Sequence, residues 1–102
     1  MKTTESPVQR ACIDYLHIRG HKPIRVNNGA VKIGKRYIRF TDTPGVADII
    51  GSTSKGRALA VETKGSNGKQ SEEQKIFESD WIARGGLYVL ARGIDDLKEA
   101  GL

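Results

Sequence analysis

Apolar residues recur at spacings of three and four near the start of the chain. Val8, Ala11, Cys12, Tyr15 and Leu16 form one stripe, which predicts a helix over 5–19. Pro7 suits a first helical turn and Gly20 a stop. The period then shortens to that of strands. Short strands are predicted over 23–28, 31–40 with a break at Gly34, 47–53 and 57–64, with turn signals at "NNG" (27–29) and "KG" (55–56). Helical spacing returns in "SEEQKIFESDWIARGG" (71–86). There Ser71 and Gln74 have the spacing of a capping box, Phe77 and Trp81 mark the core face, and Gly85 or Gly86 ends the helix. "LYVLA" (87–91) reads as a buried strand and "IDDLKEAGL" (94–102) as a short terminal helix. The order helix–strands–helix–strand–helix predicts an α/β or α+β domain, a mixed β-sheet flanked by helices. The segment from strand 57–64 through helix 71–84 to strand 87–91 has the form of a right-handed parallel crossover.

The length of 102 residues suits one domain, 1–102, with one core. The balance of 37% hydrophobic and 28% charged residues excludes a disordered chain. The apolar runs fall far short of the roughly 20 residues of a membrane helix, so no membrane partner is expected. "MKTTESPVQR" lacks the apolar stretch of a secretory signal. Cys12 is the only cysteine, which rules out an internal disulfide and fits a reducing, cytoplasmic setting.

Lys and Arg number 17 against 12 Asp and Glu, a net charge of +5 that favours a polyanionic partner such as nucleic acid. The surplus gathers in "KPIRVNNGAVKIGKRYIRF" (22–40), with Tyr37 and Phe40 its aromatic residues. A solvated hairpin with charged outer faces accounts for that segment equally well.

The strand "ALAVETK" begins apolar and ends in Glu62, Thr63 and Lys64. Alternation puts Leu59, Val61 and Thr63 on one face and Ala58, Ala60, Glu62 and Lys64 on the other. Glu62 and Lys64 thus point the same way, about 7 Å apart, beyond two small residues that leave room on that face. If 54–56 is the loop of a hairpin, Asp48 and Glu62 lie opposite each other, each seven residues from position 55. Two carboxylates beside one lysine suit phosphodiester hydrolysis. Hard oxygen ligands hold Mg²⁺ or Mn²⁺, with a main-chain carbonyl and waters completing the shell. The lysine orients or deprotonates water, or contacts the phosphate. A Glu and a Lys two apart at a strand end are by themselves most often a solvated face; the Asp on the adjoining strand argues against that here.

The segments "ESPVQRACIDYL", "RVNNGA", "GVADII", "AVETK" and "SEEQKIFESDWIARGGLYVL" occur in the order of a virus-type replication-repair nuclease (VRR-NUC) domain, and "GVAD" with "ETK" resembles the PD-(D/E)xK signature. The resemblance runs from about residue 5 to 90. It implies a restriction-endonuclease-like sheet and a divalent-metal-dependent endodeoxyribonuclease using Mg²⁺ or Mn²⁺. It also implies branched DNA, such as a four-way (Holliday) junction, as substrate, with a homodimer supplying two sites. Asp48 and Glu62 match the metal ligands, the Thr63 carbonyl a third, Lys64 the catalytic lysine, Gln74 a glutamine near the scissile phosphate, and Glu5 an acid on the first helix. A viral or phage source, hence the host-cell cytoplasm, follows only from the family. The proline of the signature is Ala47 here, and Pro44 lies too early to replace it.

Two of these positions have a second reading. Ser6 as N-cap with Pro7 at N1 leaves Glu5 outside the helix, and Gln74 is also the N3 partner of Ser71. Tyr37, Ile38 and Phe40 are candidates for the dimer surface. His17 and His21, separated by Gly20, read as solvated. Cys12 reads as core, and "GSNGK" (65–69) as a mobile loop beside the site. Rival functions are a same-fold nuclease acting on linear, nicked or flapped DNA, and a non-catalytic nucleic-acid binding module.

Overall fold

The computed structural model describes residues 6–26, 30–39 and 43–102, the side chains of 30, 31, 38 and 39 excepted. Its elements are α1 (Pro7–Ile18), β1 (Lys22–Arg25), β2 (Ala30–Ile33), β3 (Arg36–Arg39), β4 (Ile49–Ser52), β5 (Ala58–Thr63), α2 (Glu72–Ala83), β6 (Leu87–Ala91) and α3 (Ile94–Glu99). The fold is α+β, with a mixed four-stranded sheet in the order β1-β4-β5-β6. β1 and β5 flank β4 antiparallel, while β5 and β6 run parallel because α2 carries the chain back between them. β2 and β3 form a separate antiparallel hairpin. The predicted strand 31–40 is therefore two strands of another sheet, turning at Gly34, where φ is 64°.

Alternation along β5 divides the core. Leu59 and Val61 face Cys12 and Leu16 of α1 and Leu97 of α3, together with Val89 and Ala91 of β6. Ala60 faces the other way, against Ala47 and Tyr88, with Phe77 and Trp81 of α2 packed on them. The room left by small residues on this face is filled by rings: Phe77 and Trp81 stack at 5.4 Å, and Tyr88 lies 6.3 Å from Phe77. Leu59, fully buried at the sheet centre, is expected to cost about 2–5 kcal/mol when cut to Ala, read as a lower urea midpoint at unchanged slope.

Helix starts explain two departures in boundary. Ser6 caps α1, its side chain accepting from Gln9 N, and Pro7 occupies the first turn. The helix therefore starts at Pro7 rather than at 5. Glu5, the expected acid of the first helix, lies outside the described residues. α2 begins with the full capping box of Ser71 and Gln74, and ends at Ala83, ahead of Gly85. No helix among the described residues is long and apolar enough to cross a membrane.

His21 is not the solvated side chain expected from its sequence. Its Nδ1 accepts from Ser54 N at 3.0 Å, and its Nε2 lies 3.5 Å from the Leu102 carbonyl. It ties the β4–β5 turn to Leu102, three residues beyond α3. Cys12 is core as expected, and burial, with a smaller push from Asp96, raises its thiol to about 11.

Candidate active site

The site is built where β4 begins and β5 ends. The β4–β5 register has Ile49 opposite Val61. One step further along the same antiparallel ladder, Asp48 comes opposite Glu62, and opposed residues project to the same face. Asp48 sits just before β4 rather than within it. It is held there by the residue after Glu62: Thr63 donates to Asp48 Oδ2 from both its backbone N and its Oγ1, each at 2.9 Å. The backbone of Asp48 is fixed from the other side, where Val26 N donates to its carbonyl at 2.7 Å.

Glu62 is 2% exposed, the one charged side chain buried among the described residues. Its two oxygens differ. Oε2 accepts from Gln74 Nε2 at 2.9 Å and lies 3.5 Å from Lys64 Nζ. Oε1 is buried with no hydrogen-bond partner among the described residues. Burial first, and then the neighbouring Asp48 carboxylate, push the Glu62 carboxyl up to about 7, against the opposing pull of Lys64. Two carboxylates this close present acceptor to acceptor, an arrangement that calls for a shared proton or a cation.

Gln74 performs both roles that its position allowed. Its Oε1 accepts from Ser71 N at 2.9 Å, closing the capping box, while its Nε2 reaches Glu62. The helix cap and the site are therefore one hydrogen-bonded unit. Gly45 lets this unit form. It has φ of 75°, and a Cβ added there would overlap the Glu73 carbonyl and lie 2.7 Å from Gln74 N. Only a residue without a side chain lets the loop before Asp48 lie on the first turn of α2.

Lys64 follows β5. Its backbone N donates to Ala91 O at 3.0 Å, and the half-buried side chain turns back over Glu62. The loop "GSNGK" sits beside it as expected. A tight turn (Gly68 N to Gly65 O, 3.1 Å) shapes the loop, and Arg92 donates from its guanidinium to Gly65 O. Gly68 lies against the Lys64 side chain.

The donor set fits a hard divalent cation. Asp48 and Glu62 supply carboxylate oxygens, and Glu62 Oε1 is a buried acceptor in want of a positive partner. Thr63 N–H points at Asp48; a strand residue directs its N–H and C=O to the same edge, so its carbonyl faces the same neighbour. No group of three or more His, Cys, Asp or Glu side chains suited to a metal occurs among the described residues. Two acids and a carbonyl therefore leave most positions of an octahedral shell to water.

Two neighbours carried no signal of their own in the sequence. Gln70 Nε2 donates to Glu78 Oε1 at 3.0 Å and lies 3.2 Å from Tyr88 Oη. Tyr88 stands beside Ala60 across the parallel β5–β6 pair. Burial raises its hydroxyl to about 12 against the pull of the Gln70 hydrogen bond, with smaller upward pushes from Glu62, Glu78 and Asp48. Only the β5–β6 register brings Tyr88 to the site face, and that register is a tertiary property. Of the residues suggested for a dimer surface, Tyr37 is exposed, while the Ile38 side chain and Phe40 lie outside the described residues.

Comparison of the chain with family models, with curated proteins and with solved structures finds no match. Any functional reading rests on the chain's own residues.

Proposed function

We propose that this protein is a divalent-metal-dependent DNA endonuclease of the VRR-NUC type, with a restriction-endonuclease-like core, cutting branched DNA as a homodimer. One observation carries the reading: Glu62 is a buried carboxylate with an unpartnered oxygen, facing Asp48 and flanked by Lys64 and Gln74. A stability role does not account for it, since an apolar residue there would avoid the desolvation penalty.

Asp48, Glu62 and the Thr63 carbonyl would hold Mg²⁺ or Mn²⁺. The bound ion supplies Lewis acidity, easing deprotonation of water and offsetting charge that accumulates on the phosphate. Thr63 N and Oγ1 fix one oxygen of Asp48, which sets the direction of the other. Gln74 locks the Glu62 carboxylate from the side opposite its free oxygen. Lys64, 3.5 Å from Glu62, is placed to orient the attacking water or to bind a non-bridging phosphate oxygen. A homodimer supplies the two sites needed to cut two strands. The second reading, a non-catalytic DNA-binding module, draws on the presence of two rather than three clustered acids among the described residues.

The deciding experiment incubates purified protein with a labelled four-way junction and a matched linear duplex, with Mg²⁺, with Mn²⁺ and with chelator. Metal-dependent cuts in the junction, absent from the duplex, are expected. Lys64→Ala is expected to slow them by about 10²–10⁴-fold, the range for a group acting directly on proton transfer. Tight binding without cleavage under either metal overturns the enzyme reading. Equal cutting of both substrates overturns branched specificity and leaves the nuclease.

A further inference from the structure

Among the described side chains, none from the hairpin of β2 and β3 belongs to either face of the core. Its strands pair with each other and with no strand of the main sheet, and a two-stranded ribbon alone is at best marginally stable in water. Ile33 and Tyr37 are 59% and 72% exposed.

No Asp or Glu occurs between Asp14 and Asp42, while Lys22, Arg25, Lys32, Lys35, Arg36 and Arg39 fall in that interval. Lys32, Lys35 and Arg36 are exposed and make no ion pair among the described residues. Register puts them on different sides of the ribbon. Lys32 lies opposite Tyr37, over whose ring its Nζ stands at 5.8 Å. Arg36 lies opposite Ile33 and so belongs to the other face, and Lys35 sits in the turn. Cations on both faces and at the tip do not suit a ribbon laid flat on a surface. They suit one flanked by negative charge on two sides.

Position supplies the link to the site. The hairpin is inserted between Val26 and Asp48, whose backbones are hydrogen-bonded to each other. Four Cα steps separate Val26 from Ala30, so the ribbon begins within about 15 Å of Val26. The duplex major groove admits a two-stranded ribbon between its phosphate backbones.

We propose that the β2–β3 hairpin is a DNA-gripping arm that enters a groove of duplex DNA beside the cleaved bond, with Lys32, Lys35 and Arg36 contacting phosphates on either side. This rests on the nuclease reading for the word "cleaved", but the arm's binding is measured without cleavage. In chelator, affinity for a short duplex and for a single strand of equal length is followed against salt, for the wild type and for the triple variant Lys32→Ala/Lys35→Ala/Arg36→Ala. Three lost phosphate contacts are expected to weaken duplex binding about 10²-fold near 0.15 M salt and to reduce the salt slope by about 2 to 3. The single strand, which has no groove, is expected to lose less. An unchanged melting curve shows that the variant is folded. Duplex affinity and slope equal to the wild type's overturn the proposal. So does a triple variant that turns from dimer to monomer in sedimentation, which makes the hairpin a subunit contact. Failure of the nuclease reading looks different: the wild type binds duplex through the arm and cuts nothing with either metal.

Discussion

Glu62→Gln is expected to reduce metal-dependent cleavage by about 10³-fold or more while making the metal-free protein more stable at neutral pH. The two effects have one cause. Folding carries the Glu62 carboxyl from 4.5 to about 7, so between those values the native state keeps a proton that the unfolded chain releases. The stability tied to that proton is fully present below pH 4.5 and is lost as pH rises through about 7. The loss amounts to roughly 3 kcal/mol above that point. A neutral glutamine removes the dependence. Its carbonyl oxygen can take the place of Oε2 against Gln74 and Lys64, and its amide can donate toward Asp48, where the native Oε1 has no partner. Thermal melts in chelator from about pH 4 to about pH 8 should show the wild type falling and the variant nearly flat. Adding Mn²⁺ should restore the wild type by RT ln(1 + [Mn²⁺]/Kd), about 2.7 kcal/mol at a hundredfold excess over Kd, and do little for the variant. Parallel pH profiles for the two proteins would sink this account of the site.

Gly45→Ala is expected to damage both stability and activity although residue 45 carries no functional group. The left-handed backbone there (φ 75°) costs an alanine about 1 kcal/mol. The new methyl overlaps the Glu73–Gln74 peptide, and overpacking of that kind adds about 1–3 kcal/mol. To relieve it, the loop and α2 must separate, and Gln74 moves with α2. Misplacement on the scale of 1 Å is expected to slow cleavage by about 10²-fold. Gly56→Ala is the matched control. Gly56 also has positive φ (83°) but no neighbour within 4 Å of an added Cβ. It should show only the backbone cost and keep its activity. Similar losses in the two variants would locate the effect in backbone conformation rather than in the contact with α2.

How much of this could be read beforehand depended on sequence distance. The expectation of Asp48 opposite Glu62 followed from a short hairpin centred near residue 55, and β4 and β5 pair about that centre, with Ile49 opposite Val61. Ser71 and Gln74, three apart, announced their capping box, and Phe77 and Trp81 announced the face that packs on the sheet. All of these are local relations. The errors involve distant partners. β1 pairs with β4 rather than with the strands that follow it, so the residues after β1, which pattern alone adds to the same set of strands, form a sheet apart. The expected space above Ala60 is closed by rings from α2 and β6. His21 finds its partners at Ser54 and Leu102, which alternation and spacing cannot reveal. The start of α1 was decided between two local rules, and the serine cap with proline at N1 won over an extension to residue 5.

The insertion of residues 26–48 between two paired strands also bears on how the chain folds and how it can vary. From β4 to α3, each element packs on a near neighbour in sequence, and this stretch can organise first. Docking α1 and β1 onto β4 then requires closing a loop across the hairpin. The entropy of such closure grows only logarithmically, so doubling the inserted length adds about 0.6 kcal/mol. The hairpin can thus be lengthened, shortened or replaced with little consequence for the sheet. Gly45 and Ala47, by contrast, lie against α2 and in the core, so this tolerance ends with the hairpin.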